Sequence, residues 1–467
     1  MLSTLDRIPV AHQEVSALKA VLILLLSTLV FVSPPFSPAG AEMFENASEA
    51  RLANGLKVIM LENHKAPVVC FQVWYKIGAA EDTTGKTGLA RMVEKMMFKG
   101  VGEMSGEKFI ATIHQLGGAE YGVTSHDYTC YYEILPSASL EVAIKFEADR
   151  MQNLKLRESD FRTEKMVSLQ ERRMRIDDNP GAYLMEQLHA AAFQAEPYHW
   201  PVMGWSDDIG RLTMGDVSSF YSKYYDPANA FIVVTGDFSK EKLLPRIEEA
   251  FGKIPPGEPV ARFLMEDPPQ RGERTVVVRR PTRTGRMIVA WHVPNLKSDD
   301  CYVLEVIKAI LSSGKSARLY EDLIRQNAVV LDASAHYDQV TRDPGLFYIC
   351  SSFLLEKKPP EVEKALCEEL EALGKTPIGA LELQKAKNQL EASFVFDHES
   401  IISMASRLAE YETAFDWASI SAYIPSIRSV TAQDVQRVAA KYFTEQNRTV
   451  AMIVPPLAVS KADKGSK

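Results

Sequence analysis

The feature that most constrains this chain of 467 residues is a repeat within its own sequence. The matching positions, each separated by 218 residues, are Thr213 and Thr431, Asp216 and Asp434, Val217 and Val435, Lys223 and Lys441, Tyr224 and Tyr442, Asn229 and Asn447, and Ile232 and Val450. The separation stays constant through a helix start, a turn and a strand. This predicts two halves of similar α+β topology. The alternative is two unrelated helix-to-strand units, since an Asp in the first turn is a common helix-start signal.

The region between the two halves is rich in proline. Five prolines lie between residues 255 and 269, and a new strand-like run begins at Thr275. We therefore expect an N-terminal domain at residues 42–257, a linker at residues 258–274 and a C-terminal domain at residues 275–456. A disordered, lysine-containing tail is expected at residues 457–467.

Residues 1–41 are predicted to be a signal peptide. The apolar run from Ala20 to Val32 is shorter than the ~20 residues of a membrane span, and Lys19 precedes it. Small residues at Ala39 and Ala41 supply a cleavage pattern, so Glu42 would be the mature N-terminus. This predicts a periplasmic or secreted protein. The alternatives are an uncleaved anchor or a start site placed too far upstream.

Net charge and cysteine usage exclude two classes of protein. A formal charge of -8 and a pI near 5.7 exclude a nucleic-acid partner, because binding to phosphates requires clustered Lys and Arg. Five scattered cysteines without a CxxC are too few to form the framework of a disulfide-rich module. We expect most of them to be buried thiols.

Residue patterns in the first half predict both strands and helices. Residues 55–75 indicate two strands joined by a turn, and residues 123–135 are rich in strand-forming residues. Helices are predicted at 87–99, 140–151 and 158–175. The first of these rests on apolar residues at helical spacing, namely Leu89, Met92, Val93, Met96 and Met97.

The sequence from Gly88 to Gly100, GLARMVEKMMFKG, resembles the signature helix of the insulinase or pitrilysin family of zinc metallopeptidases. The inverted zinc motif of that family is H-x-x-E-H. The resemblance continues through residues 117–118, 124–129, 147–151, 170–173 and 236–237, and it spans roughly residues 51–456. It implies an α+β fold with two duplicated metallopeptidase-like α/β sandwich domains in one chain.

The chain departs from the family at the two zinc-binding histidines, where it has Arg91 and Lys95. Glu94, at the position of the general base, is present, and the resemblance places the third ligand at Glu171 with Glu164 as its support. Arg offers no lone pair, and a Lys ammonium must lose a proton before it can ligate. We therefore expect no cofactor, unless zinc is held by other ligands. No other histidine pair has ligand spacing on a helix.

Two interpretations of Arg91, Glu94 and Lys95 are open. Residues three and four apart pair on any surface helix, so these side chains could form a solvated face. In the family, however, this face points into the catalytic cleft, where Glu94, Glu164 and Glu171 would converge. The two cations would then replace the charge of Zn²⁺ and hold the three carboxylates ionised, without activating water.

The resemblance suggests two substrate-binding residues. Tyr121 stands where active relatives carry an Asn near the substrate, although a half-buried strand aromatic is the plainer interpretation. Arg325 matches the Arg of an Arg and Tyr pair seven residues apart, but the position of the Tyr is Asp332. The alternative for Arg325 is a surface Arg on an amphipathic helix.

The leading hypothesis is an exported, non-catalytic subunit. It would bind peptide or unfolded polypeptide by adding it to a sheet edge, and it would pair with a catalytic homologue that has an intact H-x-x-E-H. The first alternative is an active zinc-dependent metalloendopeptidase that uses Glu94 and Glu171 with unknown ligands. The second is a structural scaffold without peptide binding.

Overall fold

A computed structural model describes residues 43–102, 104–258, 260 and 267–456. The predicted signal peptide and the predicted tail lie outside the described residues, and the predicted linker is described only in part. Within the described part of the chain, no helix combines the length and the apolar character needed to cross a membrane.

The first half contains eight strands and eight α-helices among the described residues. The strands are β1 (Ser48–Arg51), β2 (Lys57–Glu62), β3 (Val68–Tyr75), β4 (Gly100–Val101), β5 (Met104–Ser105), β6 (Ala119–Thr124), β7 (Thr129–Pro136) and β8 (Ala230–Gly236). The helices are α1 (Leu89–Met96), α2 (Gly106–Gln115), α3 (Leu140–Asn153), α4 (Glu158–Arg172), α5 (Pro180–Ala192), α6 (Ser206–Arg211), α7 (Met214–Tyr224) and α8 (Lys240–Phe251). A π-helical turn, Arg173–Asp177, continues α4.

The second half repeats this alternation of strands and helices. Its strands are β9 (Arg274–Arg279), β10 (Gly285–Val293), β11 (Asp332–Tyr337), β12 (Gly345–Phe353) and β13 (Arg448–Val454). Its helices are α9 (Asp300–Ser312), α10 (Pro359–Lys375), α11 (Ala380–Asp397), α12 (Ile401–Ala414), α13 (Tyr423–Ser429) and α14 (Ala432–Tyr442), with a π-helix at Leu319–Gln326.

The two main sheets have related topologies. The first has the strand order β1-β2-β8-β3-β7-β6, and the second has the order β11-β12-β10-β13-β9. Each contains one parallel pair, β2 with β8 and β9 with β13, in an otherwise antiparallel sheet. Strands β8 and β13 occupy corresponding interior positions and begin 218 residues apart, at Ala230 and Arg448. This mixed architecture confirms the predicted α+β fold with two duplicated domains.

The hydrogen bonds of the two repeats also match. Thr213 is the N-cap of α7 and forms a capping box, in which its backbone N–H donates to the side chain of Asp216 at 2.9 Å. Thr431 is the N-cap of α14 in the same way, and its backbone N–H donates to the side chain of Asp434 at 3.0 Å. The amide Nδ2 of Asn229 donates to the carbonyl of Tyr224, and that of Asn447 to the carbonyl of Tyr442, each at 2.9 Å. The structure therefore confirms the internal repeat rather than two unrelated units.

Each half contributes one helix to the sheet of the other half. Leu184 and Leu188 of α5 share a buried cluster with Ile288 and Ile453 of the second sheet. Reciprocally, α12 packs on β3 and β8 of the first sheet, and Leu408 of α12 lies in a buried cluster with strand residues of that sheet. Both faces of the central strands are thus covered, and the described residues of the two halves form one compact unit. The domain boundaries proposed from the sequence remain predictions.

All three predicted helices differ from their predicted bounds: α3 ends at Asn153 rather than at residue 151, and the other two differ for local reasons. Helix α1 begins at Leu89 rather than at residue 87, because Gly88 has a φ of 83°, outside the helical region. The backbone N–H groups of Gly88 and Ala90 donate to the side chain of Asp82, which caps the helix start. Helix α4 ends at Arg172, where the chain widens into the π-helical turn.

Candidate functional site

The motif helix α1 is fixed by its apolar face. Leu89, Met92, Val93 and Met96 are buried in the cluster that covers the inner face of the first sheet. This packing turns Arg91 and Lys95 towards α4, which contacts α1. The burial of apolar side chains therefore sets the position of every charged group on this helix.

Arg91 and Lys95 are paired with carboxylates on two helices. The guanidinium of Arg91 donates to Glu94 one turn ahead, and its second Nη lies 3.5 Å from Glu171 on α4. The Nζ of Lys95 lies 2.6 Å from the other oxygen of Glu171. Thr124, the last residue of β6, donates its hydroxyl to Glu94 at 2.6 Å. We call Arg91, Glu94, Lys95 and Glu171 the motif cluster.

The motif cluster is not a solvated helix face. The exposed fraction of the side chain is 5% for Glu94, 17% for Glu171, 12% for Lys95 and 21% for Arg91. Burial alone would raise the pKa of Glu171, but the hydrogen bond and charge of Lys95, with Arg91 and Arg175, hold that pKa below its ordinary value. Glu171 is therefore kept as a carboxylate by the cations around it.

The expectation that Arg91 and Lys95 also hold Glu164 is wrong. The partner of Glu164 is Lys99, whose Nζ lies 2.5 Å from its carboxylate. Helices α1 and α4 are antiparallel along this contact, so Lys99, one turn beyond Lys95, meets α4 two turns before Glu171. Three carboxylates are thus matched by four cations, since Arg175 also lies 3.1 Å from Glu171.

The residues present do not fit a zinc ion. The nitrogens of Arg91 and Lys95 are hydrogen-bond donors already directed at Glu94 and Glu171, and they offer no lone pair. A catalytic zinc site needs three protein ligands. Within the described ranges, no group of three His, Cys, Asp or Glu side chains is placed to hold a metal ion.

The two predicted substrate-binding residues lie on the surface. Tyr121 on β6 is 47% exposed, and its ring stacks on Tyr132 with 5.0 Å between ring centroids. The side chain of Arg325 is 59% exposed and is ion-paired to Glu321 one turn earlier. Asp332 accepts a hydrogen bond from Ser352. Among the described contacts, none joins these residues to the motif cluster, so their substrate roles remain predictions.

Three residues near the motif cluster were not predicted as site residues. Lys99 and Arg175 each lie four positions beyond a predicted site residue, Lys95 and Glu171, so helical spacing could have found them. Thr124 reaches Glu94 from a neighbouring strand, a contact for which the local sequence gives no signal. The π-helical turn after α4 was also missed, and such turns frequently occur at functional sites.

Two shallow grooves lie on corresponding helix faces, α4 and α11. The groove on α4 has a volume of about 530 Å³, and the groove on α11 has a volume of about 410 Å³. Their lining residues correspond at the 218-residue repeat offset, in the pairs Met166 and Gln384, Val167 and Lys385, Gln170 and Asn388, Glu171 and Gln389, and Met174 and Ala392. Met166, Met174 and Leu381 are 68%, 65% and 89% exposed. Both halves therefore leave the same helix face uncovered in this chain.

The duplicated fold and the position of the motif helix define a two-domain protein of the metallopeptidase type. Residues 57–205 match the family described as "Insulinase (Peptidase family M16)", and residues 211–390 match "Peptidase M16 inactive domain". The chain belongs to the insulinase family, peptidase family M16. The inactive-domain match lies outside α1, so it does not bear on Arg91 and Lys95.

Several relatives share most of this chain. A zinc protease named PqqE, from Helicobacter pylori (strain ATCC 700392 / 26695), is 29% identical over 435 residues, which are 92% of this chain and 98% of the relative. The crystal structure of a protease from Helicobacter pylori superimposes with a TM-score of 0.84 at 29% identity, covering 88% of this chain and 99% of that chain. The periplasmic protease PqqL from Escherichia coli shares the fold, with a TM-score of 0.74 at 16% identity, over 88% of this chain and 48% of that one.

Proposed function

We propose that this chain is an exported, non-catalytic member of the insulinase family that binds extended peptide and pairs with a zinc-bearing homologue. The observation that carries this proposal is the motif cluster, in which Arg91 and Lys95 stand at the positions of the family's zinc-binding histidines. Their nitrogens form ion pairs with Glu94 and Glu171.

The general-base position supports the same conclusion. One oxygen of Glu94 accepts hydrogen bonds from both Arg91 and Thr124. The side chain is 5% exposed, which limits the access of water to it. A general base must lie within hydrogen-bond reach of the proton it removes, and that oxygen is occupied by two protein donors. Without a metal to lower the pKa of water, this geometry does not favour hydrolysis.

Strand β6 supports the binding of an extended peptide. It is the last strand of its sheet and pairs only with β7 in the described structure, so its second edge carries unpaired backbone groups. Such an edge can pair with an added strand. Because Thr124 at the end of β6 contacts Glu94, a peptide on this edge would pass beside the motif cluster.

The matching grooves on α4 and α11 support pairing with a homologue. Exposed apolar surface on a helix is a frequent feature of protein interfaces, and methionine adapts to different partner surfaces. A homologous chain is itself built of two halves, so it would present two helix faces in a corresponding relation. We therefore assign these grooves to a catalytic homologue with an intact H-x-x-E-H.

Export rests on the sequence of the first 41 residues and on one likeness in fold. The apolar run at residues 20–32 and the small residues before Glu42 have the pattern of a cleaved signal peptide. PqqL, which shares the fold, is described as a periplasmic protease. A fusion of residues 1–60 to a reporter that is active only after export would test this proposal.

The purified chain is expected to contain far less than one zinc per molecule and to cleave no unstructured peptide. The reason is that α1 supplies two cations where a zinc site requires two neutral imidazoles. Metal content by elemental analysis and cleavage of a quenched fluorescent peptide are the measurements. One tightly bound zinc per chain, together with activity that a chelator abolishes, would show that the chain is an active peptidase.

Mixing the chain with its intact homologue is expected to give a heterodimer that cleaves peptide faster than the homologue alone. The variant Met166→Glu/Met174→Glu should weaken this complex, because it places two charges in the groove on α4. A matched control is Leu354→Glu/Leu355→Glu, since these side chains are 44% and 43% exposed and line neither groove. Equal loss of the complex in both variants would refute the pairing. So would a homologue that does not co-purify with this chain.

A further inference from the structure

A large cavity among the described residues lies away from the motif cluster. It has a volume of about 870 Å³ and is enclosed by segments of both halves. The first half contributes the turn between β6 and β7 and part of α5, and the second half contributes α9, β11, β12, α11 and α12. No residue of the motif cluster lines it, and neither Tyr121 nor Arg325 does.

The charged residues of the cavity have an excess of carboxylates. Lys308 lies 2.7 Å from Glu305, and Arg407 lies 3.2 Å from Glu410, so both cations in the lining are already paired. Of the three further carboxylates in the lining, Asp127 is buried and lies 3.8 Å from Arg342, whereas Asp338 and Asp397 are exposed at the rim. Neither of these two rim carboxylates lies within ion-pair distance of a described Lys, Arg or His side chain, so the carboxylates of the lining outnumber its cations.

Three hydrogen-bond acceptors on the wall have no donor among the described residues. The Nε2 of His126 lies 3.1 Å from the carbonyl of Trp200 and therefore carries the proton, which leaves Nδ1 as a lone-pair acceptor. The Nδ1 of His189 is bound in the same way to the carbonyl of Tyr198 at 3.2 Å, which leaves Nε2. Gln339 is 4% exposed, and its Oε1 has no hydrogen-bond partner within the described structure.

Aromatic rings complete the lining of the cavity. Among them are Tyr128, Phe193, Tyr198, Tyr337, Tyr348 and Phe394. The face of an aromatic ring attracts a cation and also covers the apolar stem that carries an ammonium or guanidinium group. An anion would meet the excess of carboxylates, and a purely apolar ligand would leave the three acceptors without donors. A ligand with several N–H donors and a positive charge satisfies both sets of groups.

We propose that this cavity binds an organic cation of the alkylammonium or guanidinium class, either as the basic side chain of a peptide or as a free amine. Asp338 and Asp397 would attract the cation at the rim, and the acceptors of His126, His189 and Gln339 would receive its N–H groups. This site goes beyond peptide binding at β6, since that strand edge and this cavity share none of the side chains named above as ligands.

Calorimetric titration of the full mature chain tests the proposal with three probes. The first is a blocked peptide with one central arginine, the second is the same peptide with neutral citrulline in its place, and the third is agmatine, a free guanidinium amine. The arginine peptide is expected to bind at least about tenfold more tightly than its citrulline twin. Agmatine of equal affinity would assign the site to free amines, and agmatine at least about tenfold weaker would assign it to peptide side chains.

The variant Asp338→Asn/Asp397→Asn is expected to abolish the preference for arginine over citrulline. The matched control, Glu356→Gln/Glu445→Gln, removes two exposed carboxylates that do not line the cavity and should keep the preference. Equal binding of the two peptides to the parent, or equal loss in both variants, would overturn the cation site. Agmatine has no peptide backbone to pair with β6, so its binding is independent of peptide addition at the sheet edge.

Discussion

The variant Arg91→Met/Lys95→Met is expected to lower the free energy of unfolding by about 3 kcal/mol at neutral pH. Methionine keeps much of the length of both side chains but removes their charges. Glu94, with 5% of its side chain exposed, would then keep the hydroxyl of Thr124 as its one remaining hydrogen-bond partner among the described residues. Removing one side of a buried ion pair typically costs ~3 to 5 kcal/mol, and the lower value applies because Arg175 stays beside Glu171.

The pH dependence of this loss has a definite sign. In the parent chain the cations hold the pKa of Glu171 below its ordinary value, so the stability this group contributes is present above the unfolded-state pKa and is lost as pH falls through the folded-state pKa. In the methionine variant, the effect of burial, which raises the pKa of Glu171, is no longer opposed by Arg91 and Lys95, so this pKa rises relative to the parent. The folded variant then binds more protons, so its deficit should shrink in mild acid and grow towards neutral pH.

Urea denaturation at mildly acidic, neutral and mildly alkaline pH measures both effects. The control is Lys145→Met/Arg162→Met, which removes two ion-paired cations whose side chains are 72% and 76% exposed. Exposed helix pairs of this kind contribute ~0.3 to 0.5 kcal/mol each. Adding Glu94→Gln to the methionine variant should recover part of the loss. A methionine variant with the parent's denaturation midpoint at every pH would show that the cations do not hold the carboxylates.

The repeat could be predicted from the sequence because its structure is built from local hydrogen bonds. Thr213 caps its helix by a hydrogen bond to a residue three positions ahead, and Asn229 donates to the carbonyl of Tyr224 five positions back. Identical residues at these positions therefore form the same hydrogen bonds in both halves. The exchange of α5 and α12 between the sheets could not be predicted in this way. It depends on packing between elements that are distant in the sequence, such as α5 with Leu184 and β13 with Ile453, which share one buried cluster.

In the candidate site, too, the local contacts could be predicted from the sequence and the contacts between distant elements could not. Helical spacing predicts that Arg91 can pair with Glu94, and it could have added Lys99 and Arg175. The pairing of Lys95 with Glu171 and of Lys99 with Glu164 depends on the antiparallel contact between α1 and α4, which only the assembled fold defines. The cation-binding cavity was not predicted at all, because its wall combines residues from 125 to 423 with no common motif.

The variant Arg91→His/Lys95→His is expected to gain stability from added zinc, which the parent chain should not. Histidines at these positions would lie four residues apart on α1, and Glu171 on α4 contacts both positions in the parent. Two imidazoles and a carboxylate are a recognised set of three protein ligands for zinc. Zinc at about 100 times its dissociation constant should raise the free energy of unfolding by ~2.7 kcal/mol, because it binds only the folded state.

Thermal denaturation with and without zinc measures this gain, and the metal-free histidine variant should be less stable than the parent, because neutral imidazoles do not replace the charges beside Glu94 and Glu171. Arg91→His alone is the matched control. It leaves the ammonium of Lys95 2.6 Å from Glu171, so the ligand set stays incomplete and zinc should have little effect. If zinc does not raise the stability of the double variant, Glu171 is not oriented as a ligand. The loss of the metal site would then extend beyond the two histidines, to the contact between α1 and α4.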